Sequence, residues 1–305
     1  MQIDCVYNEL IKKICPEHVL RDEPMSKHTS FKIGGPVDFM ILPNSVDELQ
    51  YAIKIFKDQN IEYYIIGNGS NILVSDAGIK GAVIKIGQNF NKVDIEGEQV
   101  TAQAGVLLSL LSQMVVKNNL RGFEFANGIP GTLGGAVAMN AGAYDGEIKD
   151  VIMGASVINS YGKIVYLTKD ELQLEYRNSI VQKKDYIVLE VELKLEKGDV
   201  EEIKAKIKEF TQRRTTKQPL SLPSAGSTFK RPVGNFAGKL IQDAGLKGVR
   251  VGGAQVSELH SGFVVNADNA TAKDVMDLIR LIQKTVKDKF GIELKSEVKF
   301  IGDIR

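Results

Sequence analysis

Apolar residues recur along this chain in two periods, helical and alternating, and segments of the two kinds follow one another. Leu49, Ala52, Ile53 and Phe56 fall on one helical face behind Ser45-Val46-Asp47-Glu48, which reads as a capping box. Val106–Lys117 carries a helical pattern as well, and so does Asp199–Lys217, where Asp199 and Glu202 can cap and Ile203, Ile207 and Phe210 recur in phase. A short helix is expected from Asn235 to Ala244. A long one follows, capped by Thr271 and Asp274, with Val275, Leu278, Ile279, Ile282 and Val286 turned inward and Gly291 as a left-handed stop. Strands are expected at Tyr63–Ile66, Gly81–Ile86, Ala155–Asn159, Ile164–Leu167 and Tyr186–Leu195. The final run Ile292–Ile301 alternates, with Ile292, Leu294, Val298 and Phe300 on one face. The class is α+β with no internal repeat, and a domain boundary is expected near Gly198.

Composition narrows the function. A chain of 305 residues exceeds one ordinary core, so two or three lobes are expected, and 43% hydrophobic residues suffice to fill them. Lys plus Arg is 39 against 38 for Asp plus Glu, which gives no global reason to expect nucleic acid or a membrane surface. An anionic small molecule needs only a local positive cluster. The longest apolar stretch, Val106–Val116, is broken by Ser109, Ser112 and Gln113 and is too short to span a bilayer, and the N-terminus lacks a secretory layout. Cys5 and Cys15 make no CxxC, and the three histidines show no ligand spacing, so neither a disulfide framework nor a metal is expected and a cytoplasmic location fits. No obligate protein partner is evident.

Two stretches carry candidate chemistry. In Gly67-Asn68-Gly69-Ser70-Asn71 a strand runs into a turn of small residues whose amides can converge on an anion, with Ser70 and Asn71 adding donors. The plain alternative is a tight turn between strands. A dinucleotide fingerprint of the G-x-G-x-x-G kind is rejected, because the spacing is wrong and Ile72-Leu73-Val74 does not announce a helix. The second stretch is Gly128-Ile129-Pro130-Gly131-Thr132-Leu133-Gly134-Gly135, continuing through Ala141 and Gly142. It is too long and too poor in bulky side chains for one turn, and it reads as a loop lying against something flat. Two such loops favour a large dinucleotide. Taken singly, Arg177 reads as a surface charge, Ser227 as a loop hydroxyl and Glu297 as part of a solvated strand face with Glu293, Lys295 and Lys299.

The ordered set of segments is more specific than any member. His28–Gly35, Gly67–Asn71, Gly128–Gly142, Tyr176–Ser179, Arg213–Pro219, Gly226–Phe229, Asn235–Gly248, Val251–Asn266 and Glu297–Gly302 together resemble the UDP-N-acetylenolpyruvoylglucosamine reductase family, from about residue 28 onward. The resemblance implies an N-terminal segment 1–30 and an FAD-binding region of the PCMH/vanillyl-alcohol-oxidase type over 31–197. That region has subdomains of about 31–75 and 76–197 and precedes a C-terminal α+β substrate-binding domain, 198–305. It implies non-covalent FAD, NADPH as co-substrate, and UDP-N-acetylglucosamine enolpyruvate as the molecule reduced to UDP-N-acetylmuramate.

Roles follow from the same resemblance. FAD contacts map to Gly67, Asn68, Gly69, Ser70, Asn71, Gly128, Ile129, Pro130, Gly131, Thr132, Gly134, Gly135, Ala141 and Gly142. Arg177, Ser227 and Glu297 are the implied catalytic residues, and Tyr176, Lys217 and Asn235 the implied substrate contacts. Arg213 or Arg214 is expected to add positive charge. Two departures stand out: the Tyr176–Tyr186 segment is short, without the tyrosine-bearing insertion of part of the family, and Asp145 replaces a usual glycine. The competing readings are a flavin oxidase of the same fold and a non-catalytic flavin or nucleotide-sugar binding protein.

Overall fold

A computed structural model of the chain describes residues 2–303. Packing divides it into two units: the N-terminal segment to Leu20 with Met40–Asn68 and Ala82–Arg214, and Arg21–Phe39 with Gly69–Gly81 and the chain from Thr215 onward.

The first unit is built on a five-stranded antiparallel sheet in the order Ile164–Thr168, Ile152–Ile158, Ile187–Lys194, Gln99–Gln103, Val93–Glu96. Ala155, Val191 and Ala102 stand opposite one another in this sheet and are fully buried. Helix Leu133–Met139 packs against the strand that carries Val191. It approaches closely because Gly134 lies on Ala104, where an added Cβ would come within 2.8 Å of the alanine Cβ. Strand Tyr63–Ile66 pairs in parallel with Ala82–Lys85. The helix over Val46–Asp58 buries Leu49, Ala52, Ile53 and Phe56 as its pattern predicts. Its capping box is half-formed: Ser45 accepts the Glu48 N–H at 3.2 Å, while the Glu48 carboxylate takes the amide of Asn44 instead of Ser45. Helix Val200–Lys217, which carries the chain into the second unit, buries only Ile203 fully. Phe210 stacks on Tyr144, with ring centroids 4.5 Å apart.

The second unit contains an apolar core. A three-stranded antiparallel sheet, Arg250–Val251, Ala254–Val256 and Val264–Asn266, is covered by helix Ala272–Phe290. Val275, Leu278, Ile279, Ile282 and Val286 face inward as expected and meet Val256, Val264, Ile241, Phe31 and Leu73. Thr271 and Asp274 form the reciprocal capping box, and Gly291 closes the helix at φ 69°. The alternating tail differs from its expectation. Only Lys299–Ile301 joins a ladder, parallel to Ile72–Val74, and burial slips from phase after Val298, so that Ile301 is buried and Phe300 exposed. The slip follows a change of neighbour: Ser296 bridges Phe229 in antiparallel fashion before the chain joins a parallel partner. No helix among the described residues is long and apolar enough to cross a membrane.

Candidate active site

Close backbone approach explains both glycines of the first loop. A Cβ on Gly67 would fall 2.2 Å from the Thr132 Oγ1, which brings this loop against the start of the second one. Gly69 has φ 64°, and its Cβ would fall 1.9 Å from the His28 carbonyl oxygen. The Ser30 amide donates to the Gly69 carbonyl at 3.1 Å. At the loop's end the Asn71 side-chain amide donates to the Glu297 carbonyl at 3.2 Å, and the Asn71 carbonyl accepts the Lys299 N–H at 3.0 Å. Asn68 is exposed and Ser70 half-buried.

The second stretch is not all loop. Leu133–Met139 forms a helix, because Leu133, Ala136 and Val137 supply a buried face that the count of small residues concealed. Main-chain bonds fix its entry: the Leu133 amide donates to Val106 and the Gly134 amide to Ala104, each at 2.8 Å, while the Gly131 carbonyl accepts from Leu108 at 3.0 Å. Its exit turns on Asn140, fully buried in the left-handed region at φ 41°. The Asn140 side chain donates to Glu147 at 2.9 Å and to the Glu175 carbonyl at 3.2 Å, and accepts the Lys149 N–H at 2.9 Å. Gly128, Ile129, Gly131 and Gly134 are half-buried, Pro130 and Gly135 exposed, Thr132 buried, and Ala141 and Gly142 half-buried.

The Tyr176–Ser179 turn is tied to this exit. Ser179 Oγ donates to the Ala138 carbonyl at 2.8 Å, and Arg177 Nη2 reaches the Gly142 carbonyl at 3.4 Å. Arg177 sits at φ 54°, a conformation that costs an ordinary residue about 1–2 kcal/mol and that this short turn enforces. Its guanidinium lies 5.1 Å from the centre of the half-exposed Tyr176 ring. The two arginines differ in their surroundings. Arg213 pairs with Glu209 on an exposed face, whereas Arg214 is half-buried with its Cδ 2.8 Å from where a Gly128 Cβ would stand. Burial pulls the Arg214 pKa below its ordinary value, a penalty that a bound anion would offset. Asp145 occupies φ 65°, which explains why a glycine would suit that position.

In the second unit, Ser227 and Glu297 lie on adjoining extended segments. The Glu297 N–H donates to the Thr228 carbonyl at 2.9 Å, and the Lys230 N–H to the Lys295 carbonyl at 2.8 Å. Ser227 is exposed; Glu297 is half-buried, not on the fully solvated face its neighbours suggest. Asn235 ends a turn whose N–H returns to the Pro232 carbonyl at 3.1 Å, and Lys217 is exposed.

The first-unit residues fit a flat, anionic dinucleotide. Small residues run from Gly131 to Gly135 apart from Leu133, which is turned wholly into the core, and a guanidinium lies on Gly128. Comparison with known proteins decides the family. A model described as UDP-N-acetylenolpyruvoylglucosamine reductase, C-terminal domain, matches residues 218–301, and an FAD binding domain model matches 37–168. The UDP-N-acetylenolpyruvoylglucosamine reductase of Alkaliphilus oremlandii is 59% identical over 97% of this chain and 98% of its own. That of Alkaliphilus metalliredigens is 55% identical, with 100% of both chains covered. The chain belongs to the UDP-N-acetylenolpyruvoylglucosamine reductase family. The crystal structure of the Thermus caldophilus family member aligns with a TM-score of 0.81 at 36% identity, covering 93% of this chain and 99% of that one.

Two residues given no role by the sequence reading hold these segments in place, each within its own unit: Asn140 in the first and Thr228 in the second. An Asn closing a helix is a recognisable left-handed signal. Nothing in the spacing marks Thr228, whose importance lies in hydrogen bonds to distant segments.

Proposed function

We propose that the chain catalyses the reaction its family is named for, reducing UDP-N-acetylglucosamine enolpyruvate to UDP-N-acetylmuramate with NADPH, in the cytoplasm. FAD, when bound without a covalent link, supplies the hydride taken from NADPH. Gly67–Asn71 and Gly128–Gly142 hold this cofactor, with Arg214 as a neighbouring cation. Arg177 binds the substrate carboxylate, into which charge spreads once hydride reaches C3 of the enolpyruvyl group. Ser227 gives its proton to C2 and recovers one from water, and Glu297 polarises the developing enolate. Lys217 holds the diphosphate; Tyr176 and Asn235 orient the remaining polar groups.

The observation that carries this reading is the bond from the Glu297 N–H to the Thr228 carbonyl, which sets the segments of Ser227 and Glu297 side by side although they lie far apart in the chain. The test is anaerobic NADPH oxidation. It should require enolpyruvyl-UDP-N-acetylglucosamine; oxidation that proceeds equally without it, or protein that binds no FAD, overturns the proposal.

A further inference from the structure

Ser227 has little to hold it from its own side. It is exposed, it follows Gly226 at φ 76°, and, the two chain neighbours aside, no residue's atom stands within 4 Å of where a Gly226 Cβ would be. An acid that protonates one carbon has to be placed to within a fraction of an ångström, and a displacement of about 1 Å can cost about a hundredfold in rate. The restraint therefore comes from the residue that follows.

Thr228 is completely buried, and each of its polar groups ties the Ser227 segment to another part of the second unit. Its N–H donates to the Gly262 carbonyl at 2.9 Å, and its carbonyl accepts the Glu297 N–H at 2.9 Å. Ser296 Oγ reaches the same carbonyl at 3.4 Å. Its hydroxyl oxygen accepts the N–H of Val264, itself buried, at 2.9 Å. The main-chain bonds are open to any residue; the hydroxyl bond is not. A valine of nearly the same shape would leave the Val264 N–H buried and unpaired, which the fold relieves by parting the two segments or admitting water. Either response moves Ser227 relative to Glu297.

We propose that Thr228 is a positioning residue for proton delivery, its hydroxyl fixing the Ser227 segment against Val264 while its main chain holds Glu297 in register. The inference rests on the reading of Ser227 as the acid, so the two are tested in parallel. In stopped-flow experiments on FAD-loaded enzyme, Thr228→Val should be reduced by NADPH within about twofold of the parent rate, while its reoxidation by substrate falls about tenfold or more. Thr228→Ser, which restores the acceptor, should bring reoxidation back to within about threefold. Unchanged reoxidation in Thr228→Val, or equal losses in both half-reactions, overturns the inference. Should Thr228→Val fail to bind FAD, Thr228→Ala, which leaves room for a bridging water, supplies the same comparison. Ser227→Ala separates the two ideas: if it reoxidises normally, the assignment of the acid fails, and if it does not while Thr228→Val does, only the role of Thr228 fails.

Discussion

Around Gly128–Gly142 the chain is shaped by side chains and by their omission, whereas around Ser227 it is shaped almost wholly by main chain. In the region proposed to hold the cofactor, Asn140 makes three bonds, Ser179 anchors the Tyr176–Ser179 turn, and glycines permit contacts that a methyl group would forbid. On the Ser227 side the register comes from peptide groups of Thr228, Lys230, Lys295 and Glu297, with the Thr228 hydroxyl as an added side-chain tie. A surface that must lie along a large planar molecule needs residues without bulk, and that need is visible in composition. On the reading proposed above, Ser227 and Glu297 need a register between adjoining segments, which composition does not record.

Substitutions on the cofactor side test this contrast, because each should act through stability and FAD retention and not through the reoxidation step alone. Asn140→Ala should act most strongly. It removes buried hydrogen bonds and a residue suited to positive φ, a loss of about 2–4 kcal/mol. Urea unfolding of the FAD-loaded protein measures it, and a loss below about 1 kcal/mol would mean that the helix exit is held by other contacts.

Gly67→Ala comes next, at about 1–3 kcal/mol, since the new methyl group meets Thr132. The sharper check is the double variant with Thr132→Ala, which removes the crowding oxygen and should recover part of the loss; strictly additive effects would show that the two loops do not touch. Asp145→Gly is smallest and opposite in sign. Relief of the left-handed backbone, set against the freer unfolded chain, should stabilise by a few tenths to about 1 kcal/mol. Destabilisation would mean that the Asp145 side chain makes a contact that outweighs the backbone gain.

Much of the architecture was legible from periodicity. The long C-terminal helix emerged with its cap, inward face and stop, because all three are local signals. The helix Leu133–Met139 is not legible in the sequence, because glycine and alanine content reads as loop while the helix is supported by the sheet it packs on. The tail's phase slip was hidden because it depends on which strand lies alongside. Among the candidate site residues, the glycine loops stand out by composition. Arg177, Ser227 and Glu297 were unremarkable one by one and gained meaning only as an ordered set. The grouping of Arg21–Phe39 and Gly69–Gly81 with the C-terminal segment has no trace in local pattern, since it is made by contacts across long separations.

The most direct test of this account follows both half-reactions of Ser227→Ala by flavin absorbance under anaerobic conditions. NADPH should bleach the variant at the parent rate, and adding enolpyruvyl-UDP-N-acetylglucosamine should restore colour at least about a hundredfold more slowly than in the parent. Colour that returns at the parent rate, or bleaching lost to the same degree, would contradict the assignment of Ser227 as the proton donor.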